Sequence, residues 1–133
     1  MKAALRREVW LRADNQCEYC RLRQEHEPNR RFHVEHILAI SHGGPDDLRN
    51  LALACQLCNS LKGPNLSGID PDTGQLERLF NPRNDQWSDH FRSDAAMILG
   101  VTAVGRTTTW LLGFNTRHRV ALRTALIELN EWP

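Results

Sequence analysis

No stretch of the 133 residues approaches the ~18–20 consecutive apolar residues that a membrane-spanning helix needs. The segment Met1 to Arg12 is charged throughout and has no apolar centre, so it does not read as a secretory signal, and the expected compartment is the cytoplasm. A strong charge of one sign is missing as well. Seventeen Lys+Arg stand against sixteen Asp+Glu, a net charge of +1. That balance excludes a protein that coats nucleic acid through bulk positive charge, so any such contact has to come from a local patch. Lysine is scarce, with only Lys2 and Lys62. The arginine bias suits phosphate recognition, and it equally fits the composition of a GC-rich genome. Internal repeats and low-complexity tracts are absent. The apolar share of 41% and charged share of 25% exclude a disordered tail and fit one globular domain's length.

Cysteine is absent after residue 63, and this divides the chain. Residues 1–63 hold all four cysteines, four of the six histidines and ten of the seventeen basic residues. The spacing of Leu5, Val9 and Ala13 predicts a helix over 1–13, broken by the polar run Asp14-Asn15-Gln16. Alternation of Phe32 and Val34 with polar neighbours predicts a strand from Arg31 to Ile37. Residues 41–47 (Ser-His-Gly-Gly-Pro-Asp-Asp) form a loop. A short apolar strand follows over Leu51 to Ala54, then a helix over Cys55 to Lys62 ended by Gly63-Pro64. In the second half, Asp70 to Gly74 signals a turn and Ala95 to Val101 a buried strand. Two helices are expected, about 103–112 and 117–131, with Thr102 and Thr116 as N-caps.

Cys17-Glu-Tyr-Cys20 and Cys55-Gln-Leu-Cys58 are two CxxC pairs with no cysteine left over. Four thiolates complete a closed tetrahedral zinc shell. A redox dithiol would need a thioredoxin-like strand before it, which is missing. Disulfides are disfavoured without an export signal. Structural zinc is therefore expected, supplying folding energy to a loop too small to hold itself. A closed shell has no open position, so any chemistry lies elsewhere.

Between the pairs lies Phe32-His-Val-Glu-His-Ile37, then Gly43-Gly44, then Asn50-Leu51. The second pair runs into Cys58-Asn59-Ser-Leu-Lys62-Gly63. Together with Arg12 ahead of the first pair, this order over about residues 6–63 resembles the HNH endonuclease family. The resemblance implies an α+β chain with a zinc-bearing ββα-metal core over 1–63. A mixed extension, 64–133, would pack on it within one domain and end in helices. It also implies cleavage of DNA phosphodiesters, with His36 as general base. Glu35 and Asn59 would hold one Mg²⁺ or Mn²⁺ through oxygen, and Asn50 would brace the loop that orients His36. Lys62, three residues after Asn59, could hold a phosphate or simply be a surface lysine. Glu35 stands where aspartate is frequent, and Asn59 where many members have histidine. The loss of a nitrogen ligand favours Mg²⁺ or Mn²⁺ over Ni²⁺ or Zn²⁺.

One geometric tension accompanies this reading. In a regular strand Glu35 and His36 point to opposite faces, so they share a site only if the strand ends there. His33, on the face of Glu35, reads first as an exposed histidine. Arg30, Arg31 and Arg49 are further phosphate candidates, as are Arg83, Arg92 and Arg106 in the second half. The run from Asp70 through Phe91 resembles an extension found in a bacterial, often cyanobacterial, subset of these proteins. There His90 reads as a hydrogen-bonded structural residue. The alternatives to a nuclease are a catalytically inactive zinc-containing nucleic-acid-binding module, or a redox or metal sensor working through the CxxC pairs.

Overall fold

In the computed structural model, which describes residues 1–132, helix α1 spans Ala3–Ala13 and stops where Asp14 and Asn15 turn left-handed (φ 53° and 58°). Both are residue types that tolerate this conformation by bonding locally. Arg12 at the end of α1 donates to the carbonyls of Leu48 and Leu51 at 2.8 and 2.6 Å, which ties the helix to the start of the strand Leu51–Ala54. Strand β1, His33–His36, pairs antiparallel with β2, Leu51–Ala54, so that Glu35 faces Ala52 and His36 faces Leu51. All of β2 is buried. Helix α2, Gln56–Lys62, follows at once with Cys55 as its N-cap, and Gly63 ends it with φ 49°. The result is a ββα unit. The regular pairing of β1 is shorter than the Arg31–Ile37 expected from alternation. Arg31 instead lies over the Trp10 ring, 4.7 Å from its centroid, and the Phe32 amide donates to Gln24 Oε1 at 2.7 Å.

The chain divides into two compact units, residues 1–66 with 81–85, and residues 67–80 with 86 onward. The first is the ββα unit with α1 and the cysteines. In the second, β3 (Ser67–Ile69) pairs with β4 (Leu76–Arg78) across the turn expected at Asp70 to Gly74. A short helix α3, Trp87–His90, leads into β5, Phe91–Asp94, which forms a hairpin with β6, Met97–Gly100. Helices α4, Ala103–Leu111, and α5, Arg117–Glu128, close it. Thr102 caps α4 by accepting from Gly105 N at 3.0 Å. Thr116 precedes α5, but its side chain makes no cap bond. Phe80, Trp87, Phe91 and Phe114 form an aromatic cluster with centroids 5.0 to 5.5 Å apart. The architecture is thus α+β with small sheets and helices, and the four cysteines sit together in the first unit. Among the described residues, no helix is long and apolar enough to cross a membrane.

Candidate active site and metal centre

The first cysteine pair sits in the knuckle after α1. Cys17 N donates to Leu22 O at 2.8 Å, and Arg21, with φ 68°, bonds back to Cys17 O. The second pair opens α2, where Cys58 N donates to Cys55 Sγ at 3.4 Å. The four sulfurs lie within 4.8 Å of one another, all are buried, and none forms a disulfide. Cys20 and Cys55 Sγ are 3.7 Å apart, near the ~3.8 Å edge of a tetrahedron with 2.3 Å metal–sulfur bonds. Burial pushes the Cys17 and Cys58 thiols well up. Only a coordinated cation makes thiolates favourable in such a place. The donor set fits: these cysteines could bind a structural metal such as zinc.

His36 closes β1 and is half-buried. Its Nε2 lies 2.6 Å from Asp46 Oδ1, in the loop that follows. The contact holds the Asp46 carboxyl below its ordinary range. An ionised Asp46 can only accept, so Nε2 carries the hydrogen of this contact, and in the neutral ring Nδ1 is then the acceptor nitrogen. Nδ1 has no hydrogen-bond partner among the described residues. Asn50 shapes the loop between them. Its Oδ1 accepts from Leu38 N at 2.8 Å, and its Nδ2 donates to Leu38 O and Pro45 O at 3.0 Å each. Gly44 has to be glycine here, because a Cβ would stand 1.7 Å from Leu38 O. Asp46 was not among the residues singled out from the sequence. A carboxylate just after a Gly-Gly turn that folds back on the strand end was the signal available.

Glu35 turns the other way, as strand alternation requires. It is 6% exposed. One carboxylate oxygen accepts from the Tyr19 hydroxyl, and the other lies 3.1 Å from Lys62 Nζ. Burial raises the Glu35 pKa, against the lowering pull of Lys62 and Tyr19. Lys62 is 2% exposed and donates also to His36 O at 3.3 Å and Ile37 O at 2.9 Å. The sequence expectation was different for both. Glu35 was to be an open cation ligand with Asn59, and Lys62 a phosphate or surface group. In the structure both Glu35 oxygens are engaged inside the fold, and the three Lys62 protons have protein acceptors. Asn59 lies one helical turn before Lys62 on α2, half-buried. The residues present do not fit an exposed Mg²⁺ or Mn²⁺ held by Glu35.

The other candidates are placed as follows. His33 and His42 are exposed. Arg49 forks onto Asp47, whose carboxyl it pulls down to about 2. Arg83 is bonded to Glu18. Arg106 grips Asp70 through two bonds, 3.1 and 2.8 Å, and reaches Asp72 at 3.3 Å, so its charge is committed to carboxylates. Arg30 and Arg92 are exposed. His90 Nδ1 meets Thr102 Oγ1 at 2.6 Å, and the ring is edge-on to Phe80.

Comparison with known proteins bears on the same segment. Residues 17–65 match the family model described as HNH endonuclease. Septu protein PtuB of Bacillus thuringiensis is 29% identical over 123 residues, covering 86% of this chain and 42% of that protein. The chain thus spans about two fifths of the length of this curated relative. No solved structure matches. The family match is laid over both cysteine pairs, β1 and α2, so the ββα unit with its buried four-cysteine cluster is the part of this chain that is similar to the HNH endonuclease domain.

Proposed function

We propose that this chain is a metal-dependent endonuclease that hydrolyses DNA phosphodiester bonds, with His36 as its general base. The observation that supports this reading best is the His36–Asp46 pair. Asp46 accepts a hydrogen bond from Nε2–H, which leaves Nδ1 of the neutral ring as the nitrogen that can accept a proton. In the proposed step, Nδ1 removes a proton from water as the oxygen attacks phosphorus. The bond to the 3′-oxygen breaks, solvent protonates the leaving oxygen, and the product carries a 5′-phosphate. Asn50 holds the loop that keeps Asp46 in place. Zinc in the four-cysteine site fixes the frame and takes no part in the reaction. The Mg²⁺ or Mn²⁺ requirement belongs to the proposal, and its ligands have to be groups other than Glu35 in the arrangement described above.

A second reading has one observation on its side. The closed Glu35 and buried Lys62 are compatible with a zinc-containing nucleic-acid-binding module without catalysis. A supercoiled-plasmid assay decides between them. The wild type with Mg²⁺ or Mn²⁺ should nick or linearise the plasmid. Both EDTA and His36→Ala should abolish this, with zinc content and fold retained in the variant. DNA binding without cleavage in the wild type supports the second reading. Equal cleavage by both proteins removes His36 from the mechanism.

A further inference from the structure

The interior of the first unit contains one buried polar cluster that the proposed reaction does not use. Tyr19, the chain's single tyrosine, lies inside the first CxxC, between Cys17 and Cys20. Lys62 ends the helix that bears Cys58. Between them Glu35 accepts from both, and Lys62 continues to the carbonyls of His36 and Ile37. Both cysteine pairs are therefore linked, through three side chains, to the backbone that sets the direction of the His36 imidazole. A buried ammonium and carboxylate with every proton placed is costly to assemble and fixes one geometry. Losing either partner leaves a bare charge or an unpaired donor.

We propose that Tyr19, Glu35 and Lys62 form a clamp that positions His36, and that Glu35 is not a ligand of the reaction's divalent cation. The proposal rests on the reading of His36 as the base. For Glu35 to bind a hydrated ion, it would have to release Tyr19 or Lys62 and open a site that is now sealed. Lys62 is buried, and its ammonium is held by three protein acceptors. The clamp also explains how Glu35 and His36 serve one site from opposite faces of β1. The glutamate acts on the strand from inside, and the imidazole works outside.

The test uses the zinc-loaded full chain. Mn²⁺ binding is titrated in wild type, Glu35→Gln, Lys62→Met and Tyr19→Phe. Cleavage kinetics and the His36 ring resonances are recorded on the same samples. The clamp predicts Mn²⁺ affinity within about twofold of wild type in Glu35→Gln. It predicts kcat falling by about tenfold or more with KM unchanged, the range seen when groups supporting a catalytic residue are removed. It also predicts displaced His36 resonances, and it orders the defects. Lys62→Met, which frees the 36 and 37 carbonyls, is worse than Glu35→Gln, which keeps one acceptor oxygen for Lys62 and lets the Tyr19 hydroxyl turn to accept from the new amide. If Lys62→Met does not fold, the double variant Glu35→Gln/Lys62→Met removes the unpaired buried charge and replaces it in the series. A tenfold or greater loss of Mn²⁺ affinity in Glu35→Gln overturns the clamp and restores the ligand role. His36 resonances that stay in place in the lysine variant also overturn it. A wild type that cuts no DNA defeats the nuclease reading alone, because Mn²⁺ affinity and ring resonances still judge the clamp.

Discussion

The imidazole of His36 is set from two sides, and each side makes a separate prediction. On its outer side Asp46 Oδ1 lies 2.6 Å from Nε2, a contact that favours the Nε2–H tautomer. Removing the acceptor in Asp46→Ala leaves the ring free to place its proton on either nitrogen. We expect kcat to drop by about 10–100-fold with little change in KM, as for other carboxylates that orient a histidine. Nitrogen-15 spectra of the ring check the cause: the wild type should show a single Nε2–H tautomer, the variant a mixture. Asn50→Ala removes three bonds that hold the loop between strand end and Asp46. At about 1–3 kcal/mol per unsatisfied partly buried group, we expect a fall of about 2 kcal/mol in unfolding free energy by urea titration. Tyr19 was hidden in the sequence, whereas Asp46 had the neighbouring Gly-Gly turn as its signal. The Tyr19–Glu35 and Glu35–Lys62 bonds join residues 16 and 27 positions apart, and nothing local in the chain announces such partners.

Among the elements, those built on strong local patterns were legible. Helix α1 follows its apolar spacing, β2 its unbroken apolar run, and α2 the Cys55 cap and the Gly63 stop. Of the hairpin strands of the second unit only β6 was legible, inside the expected Ala95 to Val101. Ser67–Ile69 and Leu76–Arg78 are three residues each, too short for a period of two to register. Strand β5 reads Phe-Arg-Ser-Asp, and its turn uses Ala95 at φ 50°, where no glycine or asparagine marks the bend. What fixes the β3–β4 hairpin is a charge contact from α4: Arg106 holds the Asp70 carboxyl down to about 2. The unfolded value is near 3.9. A lowered folded pKa means that the stabilisation is complete above that value and fades as pH falls toward 2. Comparing urea midpoints of wild type and Asp70→Asn from pH 6 to pH 2 should show a gap that closes with acidification. A gap independent of pH would contradict the ionic account.

For the molecule as a whole, the two cysteine pairs and the residues between them pointed to the HNH resemblance and to a four-cysteine cluster able to hold a metal. Cysteine spacing reports directly on ion geometry, whereas a hydrogen-bond partner must be found in three dimensions. The spacing gathers the four sulfurs in the first unit, so a metal bound there would be part of its fold. We expect one equivalent of zinc per chain by elemental analysis. Chelation should release it, with loss of amide protection across residues 17–58 in hydrogen exchange. Unchanged protection in the metal-free protein would show that the cysteines hold nothing the fold needs. The net charge of +1 gives no bulk attraction for DNA, so the DNA binding proposed above would have to be local and salt-sensitive.

The chemistry of the nicked product tests the central claim most directly. Water activated by His36 leaves a 3′-hydroxyl and a 5′-phosphate, so plasmid nicked by the wild type should be resealed by DNA ligase without any other treatment, while His36→Ala at equal zinc content should produce no nicks at all. Ends that ligase cannot join, or nicking that persists in the variant, would contradict the account.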